Sequence, residues 1–195
     1  LAASNTLDFS TFIQFGLLTF IFVGCFSILG IIVLKLLKRD QVTELGPLIL
    51  PNTGNLGLPI CLFAYGDKGF SIASSIAAVI MLLHFTLGIF IASKKFSLRP
   101  LIESIPMHSL LISGVMLYFN IKPPIFLVNT TMLLSYSTIF LILASLGIAL
   151  SNLRTKNFKS NLFISIVRLI SGQVIALLII FIFCLKSYEA GVLFI

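Results

Sequence analysis

Charge is scarce in this 195-residue chain. Only 10% of its residues are Asp, Glu, Lys or Arg, and only six of those are acidic. An ordinary soluble domain carries roughly 25% charged residues. With 58% hydrophobic residues and a mean hydropathy of +1.16, a chain of this length cannot hide its apolar surface inside itself, which excludes a water-soluble globule. The acidic residues are Asp8, Asp40, Glu44, Asp67, Glu103 and Glu189, all between or at the ends of apolar runs. None stands within a run as a proton or sodium relay. Cysteine is also sparse. Cys25, Cys61 and Cys184 are odd in number, far apart and each in an apolar run. That excludes a disulfide framework and a metal-ligand spacing, and leaves them as small buried apolar residues. No Ser-His-Asp arrangement, HExxH or phosphate-cradling loop is present, so neither an enzyme nor a cofactor or metal site is expected.

What is there is apolar length. Six segments run at about 12–37, 46–66, 70–92, 104–120, 126–151 and 160–185, and the start of another lies at about 190–195. Crossing about 30 Å of hydrocarbon as a helix takes ~20 apolar residues. Several segments reach that length, which excludes a signal peptide followed by a soluble domain. The connections are short and no low-complexity linker intervenes. A single transmembrane domain over 1–195 is expected, an all-α polytopic protein of the cytoplasmic (plasma) membrane.

The net charge of +7 does not point to nucleic acid, because the basic residues sit in the short loops. Lys35, Lys38 and Arg39 follow the first segment, and Lys68 alone the second. Lys94, Lys95 and Arg99 follow the third, and Lys122 alone the fourth. Arg154, Lys156 and Lys159 follow the fifth, and Lys186 alone the sixth. Three-charge loops alternate with one-charge loops, which places the former in the cytoplasm and the start of the chain outside. The short polar lead, the absence of an initiator Met and the unfinished run GVLFI lead to the expectation of a fragment truncated at both ends.

The second segment differs from the rest. Seven of its 21 residues, Gly46, Pro47, Pro51, Gly54, Gly57, Pro59 and Gly66, are Gly or Pro. The first segment has three Gly and no Pro over 26 residues. Proline removes a backbone donor and clashes with the carbonyl four residues back, and glycine weakens the helix further. A break is expected at Pro51, Gly54, Gly57 and Pro59. Broken backbone at bilayer depth survives only where protein buries it or where it lines a wet cavity. Asn52, Thr53 and Asn55 add neutral donors and acceptors there, and are the candidate substrate-binding residues. A half-helix that begins at a break suits an anion, and one that ends there suits a cation. The competing structural explanation is a Pro-kinked helix whose Asn side chains bond to neighbouring helices.

The stretch PNTGNLGLP at 51–59 resembles the signature of the bacterial auxin efflux carrier family, and is similar to the matching stretch of the plant PIN-type auxin carriers. SLGIALSNLR at 145–154 resembles that family's seventh helix, and IVRLISG at 166–172 its eighth. The family often has Pro after that Gly, where Gln173 stands here. The resemblance implies an inverted-repeat transporter, NhaA-like, with about ten helices in two five-helix repeats whose broken fourth and ninth helices cross near the midplane. On that alignment the chain runs from the third helix to the start of the ninth. The implied function is a secondary active transporter (a permease or efflux carrier) moving a small organic anion such as a carboxylate by alternating access. A channel or sensor on the same kinked bundle, or a non-transporting structural subunit, are the alternatives. Expected partners are the anion and the lipid bilayer, with room for a coupling ion and for a second copy in a homodimer, and no nucleic acid.

Three further residues draw attention. Arg168 lies well inside the sixth segment, about eight residues or roughly 12 Å into it, where it either snorkels to the surface or pairs with a polar group in the bundle. His84, in the middle of the third segment, suits an interhelical hydrogen bond or a substrate or proton contact, and His108 an interfacial place near a helix start. The charge pattern is testable. Single cysteines placed at 38–44, 95–103 and 154–159 will be labelled only from the cytoplasmic side of membrane vesicles, and those at 67–69 and 121–124 only from outside. Labelling of both sets from one side refutes the segment count.

Overall fold

The computed structural model describes residues 8–94, 102–152, 158–185 and 188–195. Among them the fold is all-helical, and no strand is present. The helices are α1 (Phe9–Leu36), α2 (Gln41–Ile49), α3 (Leu58–Leu83), α4 (Ile89–Ser93), α5 (Ile105–Tyr118), α6 (Ile125–Ser151), α7 (Phe158–Ile182) and α8 (Tyr188–Phe194). Two wide, π-type turns, Thr53–Gly57 and His84–Gly88, lead into α3 and out of it. Four helical stretches are long and apolar enough to cross a membrane, by length and composition: Phe9–Leu36, Gln41–Ser93, Ile125–Ser151 and Asn161–Ile182. This suggests a membrane protein. Helix α5, with 14 residues, rises only about 21 Å, so the apolar run at 104–120 supplies a shorter helix than the others.

The central helix is α1, which packs against α2, α3, α5 and α7. It has no proline, and it ends in a Schellman arrangement: Lys38 takes the left-handed conformation (φ 54), its N–H bonds the Lys35 carbonyl (3.1 Å), and the Arg39 N–H bonds the Leu34 carbonyl (2.9 Å). Asn120 and Cys184 close α5 and α7 in the same way. Asp40 then starts α2, its carboxylate accepting from the N–H groups of Val42 and Thr43 and from the Thr43 hydroxyl. The Thr43 hydroxyl, and after it the Val42 N–H, hold that carboxyl below its ordinary pKa range. All six acidic residues lie at or near a helix start, where the helix dipole favours negative charge.

The stretch Gln41–Ser93 is 53 residues long. As one straight helix it would rise about 80 Å, far more than the hydrocarbon thickness. It is interrupted at Leu50–Asn52 and turned at Gly66 (φ 62, ψ −155), a conformation that suits glycine alone. The part after Gly66 returns, so that α4 packs on α2. Two apolar clusters result. One joins Phe15, Cys61, Ile72, Ile175, Ile179 and Val192. The other joins Leu34, Leu45, Leu48, Leu50, Val79 and Leu83.

These contacts sort the loop charges. Lys38, Arg39 and Lys94 lie at the end of the bundle where α1 meets α2, and so does Lys159, at the start of α7. Lys68 lies at the Gly66 turn, at the opposite end. Lys122 is also at that end, because the Phe9 ring meets Tyr118 edge-on at 5.4 Å. Lys95, Arg99, Arg154, Lys156 and Lys186 lie outside the described residues.

Outside this core, α6 buries only Val128 and exposes Leu133 and Phe140 by 70% and 71%. Such a face is costly in water and costs nothing against hydrocarbon. The hydroxyls agree, because they bond back within their own helices. Examples are Thr19 to the Phe15 carbonyl, Ser75 to Ser71, Thr130 to Phe126 and Thr138 to Leu134. Of the cysteines only Cys61 is buried. Cys25 and Cys184 are exposed, which corrects the expectation of three buried thiols; Cys25 stands on the outer face of α1 and Cys184 on the turn that closes α7.

Glycine allows a tight backbone contact at the turn. A Cβ on Gly69 would overlap Tyr65 Cβ and approach the Cys61 carbonyl to 3.0 Å, because the Gly66 turn folds the two short helical arms together. Gly69→Ala will therefore lower the thermal stability of the detergent-purified protein by about 1–3 kcal/mol. Gly147→Ala, where a Cβ meets nothing within 4 Å, will leave stability equal or up to about 1 kcal/mol higher. Equal effects of the two substitutions on melting would show that the Tyr65 contact is not a constraint.

Candidate functional site

The break follows from two prolines placed four residues apart. Pro51 has no N–H to give the Pro47 carbonyl, and it drives Leu50 into the extended region (φ −97, ψ 106). Asn52 (φ −87, ψ 62) is not helical either. Helix α2 therefore stops after rising about 13 Å, roughly halfway through a 30 Å hydrocarbon layer. Beyond it, the Leu56 N–H reaches the Asn52 carbonyl at 3.4 Å, and the Leu58 N–H reaches the Thr53 carbonyl five residues back. The wide turn has a local cause, since the ring of Pro59 cannot approach the carbonyl of Asn55 as a normal turn requires.

The stranded carbonyls at the end of α2 are met by Arg168 of α7. Its Nη1 donates to the Pro47 carbonyl, and its Nη2 donates to the Leu50 carbonyl at 3.0 Å. Of the two expected roles, surface snorkelling or pairing within the bundle, Arg168 takes the second. Its partners are backbone groups 121 and 118 residues away. Its own depth, ten residues into α7 or about 15 Å, matches that of the break.

A cavity of about 640 Å³ opens at this point. Pro51, Asn52, Thr53 and Gly57 form one wall. Ser165, Arg168, Gly172 and Gln173 of α7 form another, Thr19, Phe22 and Phe26 of α1 a third, and 192–195 close it. The hydroxyls of Thr19 and Ser165 are spent on their own helices. The side chains of Asn52, Thr53 and Gln173 make no hydrogen bond among the described residues. These three, with the unused N–H groups of Arg168, are the polar groups free to meet a solute. A second groove of about 500 Å³, between α1, α3 and α5, is lined by apolar residues such as Phe12, Phe20, Leu82 and Leu111 and offers a polar solute nothing comparable.

The candidate site residues thus divide. Asn52, Thr53, Pro51 and Gly57 come together on the cavity. Asn55, Gly54 and Pro59 do not line it: Asn55 is exposed on the turn that packs against α6, Gly54 has open space around it, and Pro59 is buried in α3. His84 bonds the Ile80 carbonyl of its own helix at 2.9 Å, so a local bond takes the place of the expected interhelical one. His108 likewise bonds the Ser104 carbonyl at the start of α5 and is exposed. In the sequence Gln173 stands out only as a departure from the family pattern, and 192–195 only as the start of a further segment. For Gln173 its place beside Gly172, which shares a helix face with Arg168 four residues before, could have served. Among the described residues no group of three His, Cys, Asp or Glu could hold a metal ion.

Comparison with protein-family models, curated proteins and solved structures finds no match to this chain.

Proposed function

We propose that the protein is a secondary carrier that moves a small organic anion, such as a carboxylate, across the cytoplasmic membrane by alternating access. The observation that carries this is the cavity of about 640 Å³ beside the break between α2 and α3, onto which the broken helix turns Asn52 and Thr53 with unspent hydrogen-bonding capacity. Amide and hydroxyl donors favour a carboxylate without the cost of burying a second fixed charge. Alternating access needs a site that either half of the bundle can uncover, and interrupted helices serve that purpose because their ends move without breaking a continuous hydrogen-bond ladder. The resemblance to the auxin efflux carriers points the same way. On that alignment 190–195 begins the second broken helix of an inverted repeat, and 192–195 lines the same cavity.

The test uses the full gene product in proteoliposomes, with labelled malonate, malate and indole-3-acetate as probes. Asn52→Ala will leave folding intact and weaken binding by about 0.5–1.5 kcal/mol for a neutral hydrogen bond, or about 1.5–3 kcal/mol for a charge-assisted one. That is roughly twofold to a hundredfold in affinity. Gly172→Leu, which faces open space, will fill the cavity and abolish saturable uptake while the protein still melts cooperatively. Leu48→Ala, buried and away from the cavity, is the packing control and will cost stability without changing the preference among anions. Normal binding in Asn52→Ala together with lost stability would make Asn52 a helix tether and end the carrier proposal.

A further inference from the structure

Arg168 has capacity left over. A guanidinium carries five N–H donors in a fixed plane and does not lose its proton in a protein. Two donors are engaged, by the carbonyls of Pro47 and Leu50. Carbonyls are neutral and leave the charge itself uncompensated. Arg168 forms no ion pair among the described residues. No acidic residue lines the cavity, and all six stand near helix starts. A half-buried cation ten residues into a long apolar helix, with no counter-charge among the described residues, is energetically exposed. The same cavity wall carries Asn52, Thr53 and Gln173.

We propose that Arg168 is the charge that binds the anion: it is anchored through two N–H groups to the end of α2 and presents the remaining ones to a carboxylate held beside Asn52. The anchoring matters as much as the charge. A free arginine side chain would have to be ordered on every binding event, whereas this one is already fixed by the break. The fork geometry is required, because a lysine ammonium cannot span two carbonyls and still present a planar pair of donors. This role rests on the carrier proposal above and adds to it a specific prediction about charge.

The experiment measures binding to the purified full gene product by thermal shift. The probes are acetate, malonate and indole-3-acetate, each beside its neutral amide. In the wild type a carboxylate will stabilise the protein and its amide will not. In Arg168→Gln the affinity for that carboxylate will fall by about tenfold to a hundredfold, and its preference over the amide will vanish. Arg168→Lys will retain part of the preference. A purely structural clamp would weaken acid and amide alike. Should Arg168→Gln fail to fold, phenylglyoxal modification of the wild type, resolved by peptide mass spectrometry, takes its place. The carboxylate will protect Arg168 from modification, and the amide will not. A carboxylate preference that survives in Arg168→Gln, or an Arg168 left unprotected, overturns the anchor and leaves the carrier proposal standing. Failure of every carboxylate to bind the wild type overturns both.

Discussion

A backbone carbonyl stranded where water cannot reach it must find a donor, and this requirement organises the molecule around residue 51. Proline there removes the N–H that the Pro47 carbonyl would have taken. In a soluble protein, water would supply the replacement. Here it comes from Arg168, which meets the carbonyls of Pro47 and Leu50 together. The bonds fix α7 against the end of α2 and hold a charged side chain far from either end of its apolar helix. They also place that side chain on the wall of the larger cavity described.

The rest of the bundle holds the break in place. Gly30 of α1 lets Leu45, Leu48 and Ile49 approach so closely that even a methyl group would crowd Ile49, at 3.0 Å. Gly88, in the second wide turn, admits Leu50 in a similar way, so the two irregular stretches lie side by side. Many hydroxyls elsewhere are self-contained, with Thr19, Ser71, Thr86 and Thr131 each returning a bond to their own helix. Asn52, Thr53 and Gln173 make no such bond and lie together where helices part to leave space.

The helices were legible because their apolar runs are long and their loops short, and the break was legible because Pro47, Pro51 and Pro59 recur every four to eight residues. The return at Gly66 falls just before the gap between two apolar runs, though the single residue that reverses the chain could not be told from the other glycines nearby. Arg168 stood out as a lone charge, but its partners could not be read. They are backbone atoms more than a hundred residues away, and a carbonyl has no signature in a sequence. Asn55 illustrates the same limit. Within a run of broken helix, composition does not say which amide faces the cavity and which faces α6, because the wide turn has lost the regular 3.6-residue period. The sequence suits His84 to a partner on another helix, and its own helix provides a nearer one.

Two liabilities that would each be severe alone offset one another here. An arginine at the centre of a bilayer costs at least about 2.5–3.5 kcal/mol, and each unpaired backbone group in hydrocarbon costs several. Brought together, the guanidinium gains two oriented acceptors and the carbonyls gain charge-assisted donors, bonds worth about 1.5–3 kcal/mol each. The compensation is incomplete in one respect only. Dipoles satisfy the geometry of the guanidinium but leave its net charge in place, and no carboxylate of the described residues lies within reach. The break is thus self-sufficient as structure while keeping one unit of positive charge turned toward an open space. That combination gives a solute of opposite sign a reason to enter an otherwise apolar bundle.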